Sequence, residues 1–138
     1  LCVTHTLLDN DDAGRKAFQK AADDSLISIP SCTLVTCKGM NDSEFEDCLS
    51  VSSYQDAILT KFGVDLSSSS SFKSNKKWSD RLKSAFMDQG KPWNDRILSS
   101  VKATVADEVA KQPNGCLNEH KRSSIDALVV ALESVIKY

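Results

Sequence analysis

Near the start of the chain, Asp9-Asn10-Asp11 has the residue types and the spacing to hold a divalent cation. Residues 2–8 are rich in β-formers, while Ala13, Ala17, Phe18 and Ala21 follow helical spacing, so the acids fall where a strand gives way to a helix. Ligands of α/β sheets sit at the carboxyl ends of strands. Two carboxylates one residue apart can converge on one point there, and hard Mg²⁺ asks for oxygen ligands while keeping several of its waters. A turn that only caps the helix, through Asp11 or Asp12, needs the same residue types. Spacing alone leaves both readings open.

The elements that must position these acids can be read from periodicity. Residues 32–37 form a second short strand of buried type, so residues 1–37 read as β-α-β, the signature of a parallel sheet. A polar loop at 38–43 leads into one or two helical turns at 44–49 and a helix at about 53–62. The unbroken serine run at 67–71 reads as a flexible connector. Beyond it, Trp78, Leu82, Ala85 and Phe86 line one helix, and Trp93, Ile97, Val101, Val105 and Val109 drift along a second. Ile125, Leu128, Val129, Leu132 and Ile136 stripe a third. The expected architecture is α/β: part of a parallel sheet in 1–66, a connector at 67–74 and a helical region at 75–138.

Composition narrows the class. A chain of 138 residues with 41% apolar and 26% charged residues is ordinary for a globular domain with a real core. No apolar run approaches the ~20 residues a membrane span needs, and no signal peptide is recognisable. Five cysteines without a C-x-x-C pair fit neither a disulfide framework nor a zinc site, and predict reduced thiols in a cytoplasmic protein. The net charge of −2 divides into −6 for residues 1–71 and +4 for residues 72–138. An acidic half suits cation-holding carboxylates, and a basic half suits a surface that faces phosphates; solvated charge on unrelated faces would read the same way.

The fuller string Leu7-Leu8-Asp9-Asn10-Asp11-Asp12-Ala13-Gly14-Arg15-Lys16-Ala17 resembles the L-D-x-D-x-A-G-x-x-A motif of Toprim domains. These occur in topoisomerases, bacterial primases, recombination proteins and nucleases of the OLD (overcoming lysogenization defect) family. The resemblance covers residues 1 to about 90 and implies a Toprim sheet in which Asp9 and Asp11 bind Mg²⁺ or Mn²⁺. It implies also that Ala13 and Gly14 let the helix start close to the sheet. Ser43-Glu44-Phe45-Glu46-Asp47 resembles the acidic segment that supplies a second metal in OLD-type nucleases, which makes Glu44, Glu46 and Asp47 further candidate ligands. A helix would put Glu44 and Asp47 together on the open side, with Phe45, Cys48 and Leu49 inward; an extended segment would pair Glu44 with Glu46. Glu44 belongs to both pairs and is the first choice, as ligand and as catalytic group. An acidic first turn that merely suits a helix N-terminus is the plainer alternative.

Lys73, Lys76, Lys77, Arg81 and Lys83 surround Trp78, and the stretch from Asn75 to Arg81 is similar to the region where OLD-type nucleases place a functional lysine. Lys77 is preferred to Lys76 as the catalytic cation. Trp78 reads as core, because Leu82, Ala85 and Phe86 share its face. The implied function is a Mg²⁺-dependent endonuclease that cuts DNA by two-metal catalysis, with a role in phage defence. Toprim sites take a further glutamate from an earlier strand, and this sequence offers none. A start at Leu1 rather than Met fits a piece of a longer protein. The expected partners are therefore DNA, the upstream ATPase and Toprim portion of a parent protein or a partner chain, and further copies of the chain, but no membrane. A non-catalytic scaffold that keeps a decayed Toprim core is the competing reading. A phosphorylatable receiver-like domain fits less well, because residues 32–37 lead into Lys38-Gly39 with no acceptor aspartate.

Overall fold

A computed structural model describes residues 4–136. Its contacts divide the chain into two compact units, Leu1–Cys48 with Glu119–Tyr138, and Leu49–Asn118.

The first unit is the α/β part. Strands β1 (Thr6–Asp9) and β2 (Cys32–Val35) pair in parallel, with Thr6 opposite Cys32 and Asp9 opposite Val35. Helix α1 (Asp12–Asp23) makes the crossover between them. The expected strand start at Cys2 and Val3 lies outside the described residues. Asp11, rather than Asp12, is the helix cap: its backbone is extended and its Oδ1 accepts the Gly14 N–H at 2.9 Å. A 3-10 turn at Phe45–Cys48 follows β2. The last helix, α5 (Ser123–Ile136), packs on β2 despite the long sequence separation. The helical region expected at 75–138 is therefore shared between the two units. Of the α5 stripe, Val129, Leu132 and Ile136 are exposed, and Ser124 is the buried residue of the helix.

The second unit is helical: α2 (Gln55–Phe62), α3 (Trp78–Asp88) and α4 (Asp95–Lys111), each close to its expected position. Its core joins Tyr54, Ile58, Leu66, Trp78, Leu82, Phe86, Val101 and Val105. Each such side chain stabilises the fold by about 1.5–3 kcal/mol through apolar burial. Trp78 is fully buried, its Nε1–H donating to the Tyr54 hydroxyl at 3.1 Å. Asn94 caps α4 by accepting the Ile97 N–H at 3.0 Å, and Gly63 closes α2 at φ 66°.

The serine run is not a connector between units; it lies inside the second one. Asp65 Oδ1 accepts the Ser67 N–H at 2.9 Å and the Ser67 hydroxyl at 2.6 Å, and the Ser68 N–H lies 3.3 Å away. Ser69 is buried, and its hydroxyl accepts the Phe72 N–H at 3.2 Å. Short polar side chains next to an aspartate here make an ordered turn. Taken whole, the described chain is mixed α/β, with a two-stranded parallel sheet and five α-helices. No helix among the described residues is long and apolar enough to cross a membrane.

Candidate metal centre

Asp9 is the last residue of β1, and its position follows from two backbone facts. The parallel pairing ends at Asp9–Val35, so the chain leaves the sheet there. Immediately beyond, Asn10 forms an antiparallel bridge with Ser43, through Asn10 N–H to Ser43 O at 2.9 Å and Ser43 N–H to Asn10 O at 3.0 Å. The Ser43 hydroxyl donates to the Val35 carbonyl at 3.0 Å, which satisfies the end of β2. Arg15 strengthens the same corner. Its Nη1 donates to the Asn10 carbonyl at 3.2 Å, and its Nη2 pairs with Asp42 at 2.9 Å. The loop after β2 is thus fastened onto the carboxyl end of β1.

The acidic segment arrives through that fastening. Asp9 Oδ1 accepts the Phe45 backbone N–H at 2.8 Å, a contact between residues 36 apart in sequence. The D-x-D strand end and the Glu44–Asp47 stretch therefore meet at the Phe45 backbone. The orientation of the acids differs from expectation. Phe45 is exposed, while Glu44 and Asp47 are 5% and 2% exposed. Asp47 Oδ2 turns back to accept the Glu44 N–H at 2.9 Å, capping the 3-10 turn. That local hydrogen bond, and not the open face of an α-helix, sets the direction of the Asp47 carboxylate. Glu46 is half-buried, with its Oε2 shielded from solvent.

Comparison with family models, curated proteins and solved structures finds no match for this chain. The chemistry of the site must be read from its own atoms.

Those atoms suit a hard cation in type: all the donors at this corner are oxygens. They do not form a closed cage. Among the described residues no three His, Cys, Asp or Glu side chains converge as a metal-holding group. Asp11 spends Oδ1 on the Gly14 N–H, and Asp9 spends Oδ1 on the Phe45 N–H. Among the described residues the corner therefore offers oxygen donors but no assembled cation-holding group.

The basic residues belong to the second unit. Lys77 directly precedes α3, and its carbonyl accepts the Asp80 and Arg81 N–H groups, each at 3.1 Å. Lys73, Lys76 and Lys83 are exposed, and Lys77 is half-buried. Arg81 leaves the basic face altogether. It is 7% exposed, donates to the Phe72 carbonyl at 2.8 Å, and stacks its guanidinium 4.7 Å from the Phe72 ring centroid. Arg81 is a core residue, legible afterwards from its place three residues after Trp78 on one helix face.

Proposed function

We propose that the first unit is the cation-binding corner of a Toprim-type, Mg²⁺-dependent nuclease, with Asp9 and Asp11 as the metal-binding carboxylates. The observation that carries the reading is the Asp9–Phe45 hydrogen bond, which brings a second acidic segment to the strand end that bears the D-x-D sequence. Bound Mg²⁺ would supply charge neutralisation and an activated water for phosphodiester hydrolysis. Asp9 and Asp11 would anchor it, and the buried Glu44–Asp47 turn would hold Asp9 in place. Glu44, Glu46 and Asp47 would reach a second cation only after this turn opens. The remaining Toprim glutamate would come from a parent protein or a partner chain, in the cytoplasm, with DNA as substrate.

Asp9→Asn separates charge from scaffolding, because the amide oxygen can still accept the Phe45 N–H. In the longest native chain that contains these residues, Mg²⁺-dependent cleavage of plasmid DNA should vanish in Asp9→Asn with the fold intact. Cleavage at the wild-type rate by that variant would reject Asp9 as a metal-binding carboxylate, and absence of Mg²⁺-dependent cleavage by the unaltered chain would reject the nuclease reading.

A scaffold with a decayed core is the second reading, favoured by Asp11 acting as a helix cap. It predicts no specific cation binding at all.

A further inference from the structure

Cys37 lies just beyond β2 and Cys48 ends the Phe45–Cys48 turn, and both are buried in the first unit. Their Sγ atoms are 3.8 Å apart across an eleven-residue separation. A disulfide needs the sulfurs near 2.05 Å, so side-chain rotation of roughly two ångströms closes the gap. From this juxtaposition we propose that Cys37 and Cys48 are a peroxide-reactive dithiol that closes reversibly to an intramolecular disulfide.

The two thiols are not equivalent. Cys48 is fully enclosed, whereas Cys37 keeps 5% of its surface at solvent, which makes Cys37 the thiol a small oxidant meets first. Cys48 Sγ also sits 3.9 Å from the Ser124 hydroxyl, and Cys37 Sγ 3.8 Å from the Lys121 carbonyl. Attack by a thiolate and resolution by a neighbouring thiol is the sequence such a pair supports.

The oxidant is a hydroperoxide. The Cys37 thiolate attacks one peroxide oxygen, the O–O bond breaks, and the departing hydroxide takes a proton to become water. Cys37 is then a sulfenic acid. Cys48 Sγ attacks that sulfur, the S–O bond breaks, and the hydroxyl leaves with the Cys48 proton as a second water. Two thiols lose two electrons in total, and hydrogen peroxide becomes two waters. The new ring encloses residues 38–47, so oxidation ties the acidic segment to the end of β2. This inference stands apart from the metal reading, since it is measured without metal or DNA.

The test is peptide mapping of the full chain after hydrogen peroxide treatment and alkylation. Trypsin cuts after Lys20, Lys38 and Lys61, which places Cys37 and Cys48 in separate peptides, 21–38 and 39–61. The expected product is a cross-link between these peptides, two hydrogens lighter, in the majority of chains and reversed by dithiothreitol. Cys32 shares the first peptide, so fragment-ion sequencing of the wild-type cross-link assigns the sulfur directly, without any variant. Cys32→Ser should keep the cross-link and Cys37→Ser should lose it. A cross-link through Cys32, a Cys37 sulfinic acid beside reduced Cys48, or two thiols still reduced at a dose that oxidises the denatured chain would each overturn the proposal.

Discussion

A methyl group placed on Gly14 would lie 1.9 Å from the Asp9 carbonyl oxygen. The first turn of α1 therefore approaches the end of β1 more closely than any side chain permits, and Asp11 caps the helix at that same contact. Of the Ala13–Gly14 pair, Gly14 makes the approach, while Ala13 is exposed. On an isolated helix, Gly→Ala stabilises by roughly 0.5–1 kcal/mol. Here the overlap is with backbone, which cannot swing aside, and overpacking of this kind costs about 1–3 kcal/mol or more. Gly14→Ala should lower the denaturation midpoint, measured by urea unfolding followed by far-UV circular dichroism. A raised midpoint would show that strand and helix are further apart than this.

Arg81 and Lys83 lie two residues apart on α3 and should behave oppositely. Arg81→Ala removes the donor to the Phe72 carbonyl and the stacked guanidinium, and should cost about 1–3 kcal/mol of stability. Lys83→Ala, at an exposed position, should stay within about 0.5 kcal/mol of wild type. Chemical denaturation of both variants checks this. Equal effects would mean that Arg81 is not a core residue.

Asp65 holds the serine run, and its pH response has a definite sign. Hydrogen bonds from Ser67 and Ser68 hold its carboxyl below the ordinary carboxylate value. A depressed folded pKa means that the contribution is present above the unfolded value, near 3.9, and fades as pH falls through the lower folded value. The turn at 67–71 should stay protected at neutral pH and loosen only in acid. Asp65→Ala should loosen it at every pH, with faster amide hydrogen exchange at Ser67 and Ser68. Unchanged exchange at pH 7 in that variant would show that Asp65 does not hold the turn.

What was legible in the sequence follows the range of the forces involved. The β-α-β crossover, the strand ends and helices α2 to α4 rest on local periodicity and capping, and Asp9 fell at a strand end for that reason. Trp78 as core followed from its helical neighbours. Three features depend on contacts between distant residues. The return of α5 to β2 is set by the completed fold, and no local pattern announces it. The burial of Asp47 goes with its hydrogen bond back to the Glu44 N–H, inside a loop that Asn10 and Asp9 hold from across the sheet end. The Cys37–Cys48 contact closes a loop that Ser43 fastens to Asn10 across the sheet end. The serine run was misread for a different reason: composition suggested a linker, but Asp65 two residues upstream supplied the turn chemistry.

The resemblance implies a catalytic role for Lys77, a proposal that kinetics would separate from plain phosphate binding. A lysine that neutralises transition-state charge changes rate more than affinity, so Lys77→Ala should slow single-turnover cleavage by roughly a hundredfold at saturating DNA. Lys76→Ala, at an exposed neighbouring position, should instead weaken binding and lower its salt dependence. If Lys77→Ala cleaves at the wild-type rate once DNA is saturating, the residue belongs to a binding face only.

The central claim, that Asp9 and Asp11 hold a divalent cation, is tested most directly by titrating Mn²⁺ into the chain under calorimetry, with Mg²⁺ as competitor. The account predicts one saturable site, displaced by Mg²⁺ and weakened about tenfold or more in both Asp9→Asn and Asp11→Asn. Each variant keeps a side-chain oxygen for its backbone hydrogen bond, to Phe45 and Gly14 respectively, so the fold should survive. Absence of saturable binding by the wild-type chain, or wild-type affinity in both variants, would contradict the metal centre and leave Asp11 as a helix cap and Asp9 as a strand-end clasp.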